Sequence, residues 1–66
     1  MIRTKIETVN RKLSGFGIEL RLGAGGDYAF LFNDTKARFE DLTNLTIDAM
    51  TVEQIVELGK QTKADW

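Results

Sequence analysis

The chain has 66 residues, a formal net charge of -1, no cysteine and no histidine. Those two absences exclude disulfide staples, thiolate nucleophiles, nearly all zinc chemistry and the side chain that most often serves as general base near neutral pH. With 42% hydrophobic and 29% charged residues the composition is that of a small globular domain, one domain long.

Ile2, Ile6, Val9 and Leu13 are spaced four, three and four apart, which predicts an amphipathic helix over about residues 2–14. Arg11 and Lys12 fall in its last turn, where cations favour the helix dipole. Gly15 is placed to end it in a left-handed conformation, with Phe16 folding back on the last turn. Residues 18–22 then alternate strictly, with Ile18, Leu20 and Leu22 to one side and Glu19 and Arg21 to the other, as in a half-buried strand. Gly23-Ala24-Gly25-Gly26-Asp27 reads as a hairpin loop. It does not read as a phosphate cradle, because a strand and not a helix N-terminus follows the glycines.

The second strand is expected from Tyr28 to Asn33, with Tyr28, Phe30 and Phe32 inward and Ala29 and Leu31 outward. Residues 33–36 form a turn. A third strand over Ala37 to about Leu42 has Phe39 as its core residue and places some of Arg38 and Glu40 outward. Residues 43–50 are open between an extension of that strand, a short fourth strand and a packed loop, and Leu45 and Ile47 are expected to be buried in each case.

The second helix carries the clearest start signal. Thr51-Val52-Glu53-Gln54 fits a capping box, and Met50 and Ile55 are spaced for a hydrophobic staple. Val52, Ile55, Val56 and Gly59 make its buried stripe, with Leu58 on the margin. A glycine at position 59 predicts close approach to the first helix or the sheet, because glycine inside a helix costs roughly 1 kcal/mol relative to alanine. The sum is an α+β two-layer sandwich: a helix, an antiparallel three-stranded meander and a helix, with both helices on one face of the sheet.

No catalytic residue, cofactor site or metal site is expected. Candidate partner-contacting residues are the acids Asp41, Asp48, Glu53 and Glu57, the sheet face around Arg21 and Leu31, and Trp66 at the end of the sequence. The acids stand out because residues 1–33 hold five basic and three acidic residues, whereas residues 34–66 hold four basic and seven acidic ones. Nucleic-acid binding is disfavoured by the weak net charge; the basic face of the first helix (Arg3, Lys5, Arg11, Lys12) is the alternative that would support it. An edge strand of the sheet is a further place for self-association, so a monomer or an edge-strand homodimer is expected. No apolar run is of membrane-spanning length and no signal-peptide stretch opens the sequence, so a cytoplasmic location is expected.

Gly17-Ile18-Glu19-Leu20, Tyr28-Ala29-Phe30-Leu31-Phe32 and Met50-Thr51-Val52-Glu53-Gln54-Ile55-Val56-Glu57-Leu58-Gly59 together resemble a loose group of short phage and prophage proteins. Members of that group have a helix, a G-I-x-L strand, an aromatic-rich strand and an M-T-x-E-Q helix ending in glycine. They often carry Trp where this chain has Ile55. The resemblance implies a mobile-element origin and action in the host cytoplasm. The implied role is that of a non-enzymatic protein that binds and modulates a host protein or ribonucleoprotein complex, with anti-CRISPR inhibition among the options.

Overall fold

The computed structural model describes residues 2–33 and 35–65. The first helix, α1, runs Ile2–Leu13 and continues into a 3-10 turn at Ser14–Phe16. Three strands follow, β1 Ile18–Leu22, β2 Tyr28–Phe32 and β3 Thr35–Arg38, in the spatial order β1-β2-β3 and all antiparallel. Two more helices end the chain, α2 Asn44–Ala49 and α3 Val52–Asp65. This is the α+β sandwich expected: α1 and α3 pack on each other and against one face of the meander.

The core follows the period-two and period-3.6 patterns. Ile18 and Leu20 of β1 and Tyr28, Phe30 and Phe32 of β2 are buried beneath Val9 and Leu13 of α1 and Ile55 of α3. Phe30 is the centre. Its ring stacks near-parallel to Phe32, with centroids 6.4 Å apart, and meets Phe39 edge-on at 5.7 Å. Gly59 fulfils its expected role on both counts. A Cβ added there would lie 2.9 Å from Cε1 of Phe30 and 3.4 Å from Cδ2 of Leu13, so α3 approaches both the sheet and α1 too closely for any side chain.

The capping box also forms as expected. Gln54 N–H donates to Thr51 Oγ1 at 3.1 Å, and Thr51 N–H donates to Gln54 Oε1 at 2.9 Å. Met50 packs against the core ahead of it.

Several expectations are corrected. Residues 44–49 form a helix, which none of the three alternatives anticipated. Thr43 starts it, accepting from Thr46 N–H at 3.4 Å. Helical geometry then puts Leu45 and Ile47 about 200° apart around the axis, so Ile47 is fully buried while Leu45 is 83% exposed. Six residues are too few for a helix to persist unaided, and tertiary bonds hold this one at both ends. Tyr28 Oη donates to Asn44 Oδ1 at 2.7 Å. Lys5 Nζ donates to the carbonyls of Ile47, Asp48 and Met50 at 3.2, 3.0 and 2.7 Å, filling the acceptors that the C-terminal end leaves open.

The left-handed residue that ends the first helical segment is Gly17, at φ 72°, and not Gly15, which lies within the 3-10 turn. Phe16 is 47% exposed, with Lys60 Nζ 4.7 Å from its ring centroid. The third strand begins at Thr35 and stops at Arg38, so its buried residue is Ala37; Phe39 is only half-buried and Glu40 sits in the following turn. Leu22 is 58% exposed, although it shares the parity of Ile18 and Leu20.

Candidate functional site

One face of the sheet carries the helices; the other is open. Strand register assembles the open face in two rows, Glu19–Leu31–Lys36 and Arg21–Ala29–Arg38. Each row has charged residues on the outer strands and a small or aliphatic residue on β2. Ala29 was expected to face outward, and by register it does, yet it is only 2% exposed. The basic side chains explain the difference. Lys36 Nζ and Arg38 Nη2 come within 3.8 and 3.9 Å of the point where a Cβ on Gly23 would sit, so both lean from β3 across β2 toward the β1–β2 loop. Their aliphatic stems roof Ala29 while the charged heads stay in water.

The open face is therefore a shallow concavity of ≈ 610 Å³ with Leu31 and Ala29 at its floor and Arg21, Leu22, Gly23 and Lys36 around it. Its charge is unbalanced. Arg21 Nε is 3.7 Å from Glu19 Oε2, an exposed pair. Lys36 and Arg38 have no carboxylate within ion-pair distance among the described residues. Tyr28, Phe30 and Phe32 all face the helices, so among the described residues no aromatic ring lies on the open face.

The two edges of the sheet differ. On β1, the side chain of Asn10 lies against the strand like a fragment of a fourth one. Leu20 N–H donates to Asn10 Oδ1 at 2.6 Å, and Asn10 Nδ2 donates to Leu20 O at 3.0 Å. Because Leu20 spends its backbone outward, Glu19 and Arg21 face β2, in the alternation of antiparallel ladders. Carried across the register, this turns Tyr28, Phe30 and Phe32 toward β3, and Tyr28 N–H accordingly donates to Leu42 O at 2.7 Å. Ala37 and Thr35 then pair inward, and Lys36 and Arg38 present their N–H and C=O groups to the outside. No hydrogen bond among the described residues meets them there. Beside this free edge runs a groove of ≈ 510 Å³ between β3 and α3, lined by Ala37, Arg38, Phe39, Leu58, Gln61 and Thr62, with Asp65 at one end.

Of the residues singled out in the sequence, the fold brings Arg21 and Leu31 onto this open face. The four acids lie elsewhere. Asp41 is in the turn after β3, Asp48 on α2, and Glu53 and Glu57 on α3, all exposed. Glu53 occupies the first turn of α3, where the helix dipole favours an acid. Glu57 Oε2 is 3.9 Å from Lys60 Nζ. Trp66 lies outside the described residues. The contribution missed in the sequence is that of Lys36, assigned there to a turn; continuing the alternation back from Arg38 through Ala37 would have placed it on the outward face, and the strand register sets it beside Leu31. The basic face of α1 is divided as well, since Lys5 is committed to α2.

Among the described residues no group of three or more His, Cys, Asp or Glu side chains is placed to hold a metal ion, and no helix is long and apolar enough to cross a membrane. Compared with protein families, curated proteins and solved structures, the chain matches none.

Proposed function

We propose that this is a non-enzymatic binding protein that docks on a larger protein or ribonucleoprotein complex and modulates it. The observation that carries the reading is the open sheet face, where Leu31 and the roofed Ala29 are framed by Arg21, Lys36 and Arg38. A solvent-facing patch with an aliphatic floor and an arginine-rich rim has the composition of a protein interface. The sequence supports a mobile-element setting through its likeness to short phage and prophage proteins. In that setting the complex belongs to the host cell, the site of action is the host cytoplasm, and inhibition of a CRISPR effector is one form the activity takes.

Two features favour a monomer as the acting species. Asn10 occupies the centre of the β1 edge. Pairing β3 with a second β3 in antiparallel register would bring Lys36 and Arg38 against like charges, which is destabilising.

The test is affinity capture from host lysate with wild-type protein and with Leu31→Glu, which leaves the buried core untouched. A stoichiometric partner retained by the wild type and lost by the variant is the expected outcome. Equal capture by both proteins moves the contact off this face, and capture by neither rejects the reading.

A further inference from the structure

The geometry points to the free edge of β3 as the place where an extended, acidic segment of the partner adds to the sheet as a fourth strand. The inference takes the open side of the sheet from the reading above and adds the mode of binding and the chemistry of the ligand.

Three observations meet at this edge. First, Lys36 and Arg38 direct their backbone donors and acceptors outward, and their side chains lean the other way, across β2 toward Gly23. The edge is thereby cleared by the same residues that would ordinarily shield it. Second, a strand added here has its side chains alternating between two environments. One set faces the open side, beside Lys36 and Arg38, which have no carboxylate partner among the described residues. The other set faces the groove whose apolar part is formed by Ala37, Phe39 and Leu58, with Gln61, Thr62 and Asp65 along its helix side. The complementary segment alternates acidic and aliphatic residues. Third, Asn10 takes both outward backbone groups of Leu20 at the centre of the opposite edge, so a strand added there would meet an edge already occupied at its middle.

Charge and chemistry select this occupant over others. A second copy of β3 brings its own Lys36 and Arg38 to the junction and is repelled. A single-stranded nucleic acid would find cations but, among the described residues, no ring on the open face for its bases to stack on.

The probe is a synthetic peptide of roughly ten residues, enough to span a strand, alternating Glu and Val with both ends blocked. Three further ligands accompany it: the same peptide N-methylated on the amides of one edge, a Lys–Val counterpart, and a single-stranded oligonucleotide of similar length. Titration by NMR and by fluorescence anisotropy with the intact protein is expected to show binding of the Glu–Val peptide and slowed amide exchange at Lys36 and Arg38. N-methylation, replacement of Glu by Lys, and Lys36→Glu with Arg38→Glu in the protein each weaken binding by about tenfold or more, the equivalent of roughly 1.4 kcal/mol. Equal affinity for the N-methylated peptide overturns strand addition while leaving the open face as a charged contact. Preferential binding of the oligonucleotide, or of no ligand, overturns the inference outright. Leu31→Glu capture from lysate reads the broader proposal independently of all these outcomes.

Discussion

Along β1 the outward backbone of Leu20 is matched by both ends of the Asn10 amide, and α1 stands against the strand. Along β3 the outward backbone of Lys36 and Arg38 meets no group among the described residues, and a groove runs beside it. The two edges belong to one small sheet, yet one is built into the fold and the other is left to solvent. An unprotected edge is a hazard for self-association. Here it is short, four residues, and marked with two cations, which discourages a copy of itself without discouraging an acidic strand. The difference separates the parts of the molecule that hold it together from the part free to bind.

If that separation holds, substitutions on the tied side should cost stability and those on the free side should not. The largest loss is expected for Gly59→Val, where α3 presses on Phe30 and Leu13. Overpacking at such a contact should destabilise by about 3 kcal/mol, read as a lower urea midpoint. Lys5→Met comes next. It strips the Asp48 and Met50 carbonyls of their donor and leaves Ile47 O with Met50 N–H alone, and about 2 kcal/mol should go with faster amide exchange across residues 44–50. Asn10→Ala should cost about 1–2 kcal/mol by removing both bonds to Leu20, and it should make β1 resemble β3 as an open edge. Such a variant is expected to self-associate at high concentration, which sedimentation would register. At the small end, Lys36→Glu with Arg38→Glu should shift stability by less than about 0.5 kcal/mol; a larger loss would mean that β3 is tied into the fold by interactions this account omits.

The tied side was partly legible in the sequence. The stripe Ile6–Val9–Leu13, the alternation of residues 18–22 and the Thr51–Gln54 box are local signals, and local structure followed them. Gly59 was legible because a glycine inside a helix needs a reason. What escaped was set by distant partners. The amide of Asn10 and the ammonium of Lys5 are ordinary surface groups in a helical pattern; their roles exist only once β1 and α2 are brought beside α1, 10 and more than 40 residues away in sequence. Leu45 and Ile47, two apart, mimic a strand, and the six-residue helix they occupy depends on Tyr28 and Lys5 more than on its own propensity. Parity told correctly that Ala29 points away from the helices, and failed on burial because long basic neighbours cover it. The same limit applied to the candidate site: Arg21 and Leu31 could be placed on a face, but the convergence of Lys36 and Arg38 over that face required the β2–β3 register.

Native-state hydrogen exchange on the free protein compares the two edges within one experiment. The amide of Leu20 should exchange slowly, near the rate set by global unfolding, and those of Lys36 and Arg38 should exchange orders of magnitude faster, with Asn10→Ala abolishing the protection of Leu20 alone. Comparable protection at Leu20 and Lys36, in either direction, would contradict the claim that one edge is tied down at its centre and the other is free.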